Sequence, residues 1–161
     1  MATSVVIDTN VLTFAVGGHG DEDRTAACTE LIFKIVNDDG LAFALDTDGE
    51  ILDEYKENIS EYKTPHTRLL QTYFEKQLKS RDGVSFHLPI HESEVSDLKE
   101  MGFHEKDLIF VRLAPRTESE CIASCDGESL MNNDFKEWIE NELDISVYFP
   151  KDIIENDTIT D

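Results

Sequence analysis

Two kinds of apolar pattern alternate along the chain: short runs that are apolar throughout, and longer stretches whose apolar residues recur three and four positions apart. Val5-Val6-Ile7 is a β-branched run ending at Asp8, and predicts a strand buried on both faces. Thr25 to Val36 then places Ala27, Leu31, Ile32 and Ile35 at helical spacing, with a turn at Asp39-Gly40. Leu41 to Leu45 predicts a second buried strand. From Glu50 to Ile59, the residues Ile51, Leu52, Tyr55 and Ile59 share one face of a helix that Thr47 or Asp48 can cap. Past Pro65, a helix from His66 to Lys79 carries Leu69, Leu70, Tyr73, Phe74 and Leu78 as its apolar stripe.

Arg81-Asp82-Gly83 reads as a turn, and Val84 to Leu88 as a short strand or an extended loop. A short helix follows Ile90 and stops between Met101 and Gly102. His104-Glu105-Lys106-Asp107 opens the next, which turns Leu108, Ile109, Val111, Leu113 and Ala114 inward before Pro115. Glu120 to Ser124 predicts a strand that delivers Asp126. Phe135 to Leu143 predicts an acidic helix burying Phe135, Trp138 and Ile139, and Ile145 to Phe149 a last strand ended by Pro150. Helices alternating with short buried strands predict an α/β fold with a mostly parallel sheet. With 161 residues, the chain has room for one domain, taken as 1–154, followed by a polar tail over 155–161.

No apolar run is long enough to span a bilayer, and the N-terminal Met1-Ala2-Thr3-Ser4 lacks the basic region of a secretory signal, so a cytoplasmic location without membrane contact is expected. Cys28, Cys121 and Cys125 are odd in number, which argues for reduced thiols rather than a disulfide framework. The Cys121 and Cys125 pair lacks the second ligand pair of a zinc site, and small buried side chains are the better expectation. His87 and His91 are separated by Leu88-Pro89, which keeps them off one helix face, and His104 reads as a surface or capping residue. Tyr55 and Trp138 are expected in the core.

Charge changes the picture. Fourteen Lys and Arg stand against 35 Asp and Glu, a formal net charge of −21. Phosphate binding ordinarily draws on basic surface, so this balance suggests a basic protein partner or a site that relies on cations to screen its carboxylates. Asp8 and Asp126 each follow a strand, Asp107 begins a helix, and Glu54 lies on the helix after the second strand. In a parallel sheet, residues past the carboxyl ends of strands converge on one crevice. Carboxylates gathered there repel one another unless a hard cation such as Mg²⁺ or Mn²⁺ shares the site. Such ions can generate hydroxide from bound water and stabilise a leaving oxygen, which suits phosphodiester hydrolysis.

Val5-Val6-Ile7-Asp8-Thr9-Asn10-Val11-Leu12, Ile51-Leu52-Asp53-Glu54-Tyr55, Lys106-Asp107-Leu108-Ile109-Phe110 and Ile122-Ala123-Ser124-Cys125-Asp126 together resemble the PIN-domain family, which includes toxin ribonucleases of toxin–antitoxin pairs. The resemblance implies a three-layer α/β/α sandwich with a mostly parallel central sheet. It implies an endonuclease using Mg²⁺ or Mn²⁺, with Asp8, Glu54, Asp107 and Asp126 as metal-site acids, Asn10 orienting Asp8 or its loop, and Ser124 supporting by hydrogen bonding. RNA is the implied substrate, with DNA as the alternative; an antitoxin-like basic protein and a second copy of the chain are the implied partners. Glu50 competes with Glu54 for the second acid position, one helical turn away. The segment from Gly127 to Phe135 is longer than the family pattern, leaving Asp134 as a fifth acid or, preferably, a helix cap. Basic residues between Lys63 and Arg81 are candidates for phosphate contacts.

Two other functions compete. Ala44-Leu45-Asp46-Thr47-Asp48-Gly49 resembles the nucleophile motif of haloacid-dehalogenase-type phosphatases, which implies Asp46 and Asp48 as catalytic residues. Alternatively the protein is a non-catalytic acidic interaction module, or an inactive PIN-like scaffold, that binds a basic partner.

Overall fold

Each apolar run becomes a strand of a single parallel sheet. The structure, a computed structural model, describes residues 3–17, 22–37, 40–80, 84–125, 127 and 129–155, without the side chains of 77–80. Strands β1 (Thr3–Ile7), β2 (Leu41–Asp46), β3 (Val84–His87), β4 (Cys121–Ala123) and β5 (Ser146–Tyr148) are arranged in the order β3-β2-β1-β4-β5. Every pairing is parallel, with Val5 beside Phe43, Phe43 beside Val84, Val6 beside Ile122 and Ile122 beside Val147. All six residues of β2 are buried. Because successive side chains point to opposite faces, helices must cover both, and the fold is a three-layer α/β/α sandwich.

The helices are α1 (Thr9–Gly17), α2 (Glu22–Val36), α3 (Glu50–Ile59), α4 (Pro65–Ser80), α5 (Ser96–Glu100), α6 (Leu108–Leu113), α7 (Asn133–Leu143) and α8 (Pro150–Glu155). Helices α1 and α8 are absent from the periodicity reading: Pro150 opens a helix rather than merely closing a strand, and Glu155 ends it. One apolar cluster runs through the layers. Its aromatic part joins Phe43 of β2 to Tyr55 of α3 and Phe74 of α4, with centroids 6.2 and 5.3 Å apart, and stacks Tyr55 on Phe110 of α6 at 6.5 Å. Such pairs add about 0.5–1.5 kcal/mol each beyond burial, so α3 is clamped between sheet and neighbouring helices.

Four expectations need correction. The cap of α3 is neither Thr47 nor Asp48, both exposed, but Asp46, whose Oδ2 and Oδ1 accept the backbone N–H groups of Glu50 (3.0 Å) and Ile51 (2.8 Å). Gly49, at φ +84°, turns the chain back so that this cap can form. Leu69 is 45% exposed and lies off the buried stripe of α4. Phe135 and Trp138 are half-buried, leaving Ile139 as the buried residue of α7. That helix is capped by Asn132, whose Oδ1 accepts Asp134 N–H at 3.0 Å, so Asp134 is an exposed first-turn residue. The turns expected at Asp39 and at Arg81 to Gly83, and the tail beyond Glu155, lie outside the described residues.

Candidate functional site

The strand order fixes where a site can form. From β1 the chain winds outward through β2 to β3, then returns to β4 on the other side of β1. The gap past the carboxyl ends of β1 and β4 is therefore the switch point, where parallel sheets open a crevice. Asp8 is the first residue past β1, and its backbone N–H donates to Ala123 O at 2.9 Å, tying it to the end of β4. The residue is only 3% exposed, and its Oδ2 accepts from Oγ of the fully buried Ser124 at 2.8 Å. Helix α1 starts immediately afterwards, so the positive end of its dipole stabilises the buried charge. Asn10 ties the loop after Asp8 to the end of β4: its Oδ1 accepts the backbone N–H of Cys125 at 3.1 Å.

Glu54 reaches the same place from α3. Thr9 Oγ1, next to Asp8, donates to Glu54 Oε2 at 2.7 Å. Tyr55 is fully buried and its hydroxyl donates to the carbonyl of Ile7, pinning α3 to the end of β1. Burial raises the Tyr55 pKa well above the ordinary phenol value, and the charges of Asp8 and then Glu54 push it further in the same direction. The phenol therefore stays a neutral donor. Glu54 itself has a raised pKa, first from burial and, against the Thr9 hydrogen bond, also from repulsion by Asp107. Glu50 is exposed and is the weakest of the named influences on Glu54, which leaves Glu54 as the acid facing the site.

Asp107 stands at the start of α6, half-buried, with no capping bond from its own side chain to that helix. Its Oδ2 accepts from Ser129 Oγ at 2.6 Å. The described acids thus share one pattern: Asp8, Glu54 and Asp107 each accept a hydroxyl hydrogen bond, from Ser124, Thr9 and Ser129 respectively. Thr9 and Ser129 were not singled out by sequence. Thr9 sits inside the Asp8-Thr9-Asn10 segment, but its partner is 45 residues away; Ser129 lies in the extended segment that departs from the family pattern. Asp126, the fourth acid, is outside the described residues.

Among the described residues, Asp8, Glu54 and Asp107 offer carboxylate oxygens, the donor type that suits Mg²⁺ or Mn²⁺, and the repulsion between Glu54 and Asp107 is of the kind a shared cation relieves. Among the described residues, no three acidic, histidine or cysteine side chains lie close enough together to hold one metal ion. Asp46 has both oxygens engaged by backbone N–H groups and is fully buried, the position of a helix cap rather than of an attacking nucleophile. His87 pairs with Ser85 at 2.8 Å and His91 accepts from Ser93 N–H, so the two histidines serve separate local structures. Lys63 and Arg68, from the expected basic stretch, line a cavity of about 240 Å³ with Ser60, Thr64, Thr67 and Gln71.

No family model matches the chain, and no curated protein and no solved structure matches it. No helix among the described residues is long and apolar enough to cross a membrane.

Proposed function

We propose that the protein is a cytoplasmic, divalent-metal-dependent endonuclease of the PIN-like kind, acting on RNA. What supports this reading is that Thr9 links Glu54 to the Asp8 segment, that Asp107 lies near enough to repel the Glu54 charge, and that a hydroxyl group orients each of the three carboxylates. Asp8, Glu54, Asp107 and Asp126 would hold Mg²⁺ or Mn²⁺, which when bound supplies a nucleophilic water and charge stabilisation at the scissile phosphate. Ser124, Thr9 and Ser129 fix carboxylate rotamers, Asn10 anchors the chain entering Asp126, and Tyr55 holds α3 in register with β1. Lys63 and Arg68 offer phosphate contacts in a chain otherwise short of cations.

Labelled single-stranded RNA and DNA incubated with Mn²⁺, Mg²⁺ or EDTA, beside an Asp8→Asn variant, test the reading. Cleavage of RNA that requires metal and disappears in the variant supports it. No cleavage with any metal rejects it.

A second reading, an acidic module that binds a basic partner, rests on an open groove along α7 where Met101, Phe135 and Trp138 are flanked by Asp134, Glu137 and Glu142. An antitoxin-like basic protein or a second copy of the chain is compatible with either reading. Tight binding of a basic partner without cleavage selects the second.

A further inference from the structure

Three cysteines are present and none is in a disulfide. Two of them, Cys28 on α2 and Cys125 just past β4, come from positions 97 residues apart, yet their Sγ atoms stand 3.4 Å from each other. A disulfide bond is about 2.05 Å long, so closing the gap requires a displacement of little more than an ångström. Cys28 is fully buried and Cys125 is 5% exposed, so Cys125 is the less buried of the two. Cys121 offers an internal contrast: it is buried, its Sγ lies 3.5 Å from Ser119 Oγ, and burial raises its pKa.

The position of the pair gives it a consequence. The backbone N–H of Cys125 is held by Asn10 Oδ1, and its neighbour Ser124 donates to Asp8. Moving the Cys125 sulfur toward α2 therefore pulls on these two of the bonds that join β4 to the Asp8 segment. We propose that Cys28 and Cys125 are a reversible oxidation site for small peroxides, whose disulfide ties α2 to the end of β4 and displaces Cys125 from Asn10 and Ser124 from Asp8. In the first step, peroxide converts the Cys125 thiol to a sulfenic acid and is reduced to one water. The Cys28 thiol then forms the sulfur–sulfur bond, and the sulfenic oxygen leaves as a second water with the remaining protons. Two thiols lose two electrons in all, and the peroxide gains them. A thiol reductant restores the dithiol.

The disulfide does not depend on the nuclease reading; only its effect on catalysis rests on it. The full chain is treated with hydrogen peroxide, digested without reductant and mapped by mass spectrometry, then returned with dithiothreitol. The expected product is one intramolecular Cys28–Cys125 link with Cys121 still a thiol, reversed by the reductant. Cys28→Ser, and Cys28→Ala as a second variant against misfolding, lose the link while Cys121→Ser keeps it. Amide NMR of the oxidised protein shows shifted Cys125 backbone and Asn10 side-chain signals. Where reduced protein cleaves RNA, oxidation lowers the rate by roughly tenfold to 100-fold, the scale of an ångström's misplacement in a site. Links that involve Cys121 or join two chains overturn the proposal, as does a Cys28–Cys125 link that leaves the Asn10 and Cys125 signals unmoved. Absent cleavage in the reduced protein overturns the nuclease reading alone.

Discussion

Glu54 carries an electrostatic cost in the fold that the proposed metal site would offset. Its folded pKa is raised, chiefly by burial, whereas an unfolded Glu titrates at the ordinary value. A raised acid favours folding fully below its unfolded pKa and loses that contribution as pH rises through the folded value. At neutral pH, the charged carboxylate therefore weighs against the metal-free fold. Glu54→Gln keeps an acceptor for Thr9 and removes that charge, so thermal melts in EDTA should place the variant a few degrees above the parent near pH 7, with the difference disappearing near pH 4. Half-exposure keeps the effect small. RNA cleavage by the same variant should be lost, the trade common to strained sites. In the parent, cleavage should rise with pH as Glu54 ionises. A variant that melts at or below the parent near pH 7 would remove the electrostatic account of this residue.

At the scale of elements, the placement of Glu54 depends on how α3 begins. Gly49 reverses the chain and Asp46 accepts both leading N–H groups, so the helix leaves β2 in a set direction with Tyr55 against Ile7. Asp46→Ala removes the cap at a cost of about 1–2 kcal/mol, measurable by urea unfolding, and loosens the element that delivers Glu54, lowering cleavage. Asp46→Asn retains one acceptor and should keep most of the activity, whereas a phosphatase using Asp46 as nucleophile would lose all of it. Helix α3 was legible in the sequence because Ile51, Leu52, Tyr55 and Ile59 form one stripe against a polar remainder. Helix α1 was not: Val11, Leu12, Ala15 and Val16 are buried, but Phe14 and the β-branched Thr13 between them blur the helical period. Apolar runs marked β1, β2 and β4, which leave no polar alternation to misread, whereas β3, with only Val84 buried, read equally as a short strand or an extended loop. Among the candidate acids, Asp8 and Asp107 were suggested by their places after a strand and at a helix start, and Glu54 by its helix and by the resemblance that sets it above Glu50. Thr9 and Ser129 could not, since a hydroxyl's partner is set by which elements the sheet order brings together.

The whole molecule carries 35 acidic side chains against 14 basic ones, and only a few ion pairs, such as Lys99 with Glu92 at 2.5 Å, offset them among the described residues. Self-repulsion on this scale destabilises the compact state, so melting temperature should climb as sodium chloride is added and screening shortens the reach of each charge. That response is diffuse and continues without saturating at any stoichiometry. A cation held, as proposed, by Asp8, Glu54, Asp107 and Asp126 would add a different one, following its occupancy and reaching about 2.7 kcal/mol when the free ion is at a hundred times its dissociation constant. The two separate when Mn²⁺ is titrated at constant ionic strength and unfolding is followed in parent and Asp8→Asn protein. The parent should show a saturable rise on top of the salt baseline, and the variant should follow the salt baseline alone, with its own sodium chloride response intact. Equal Mn²⁺ responses in the two proteins would mean that the ion acts on the acidic surface as a whole, and the charge of −21 would then be better explained by a basic partner than by a metal centre.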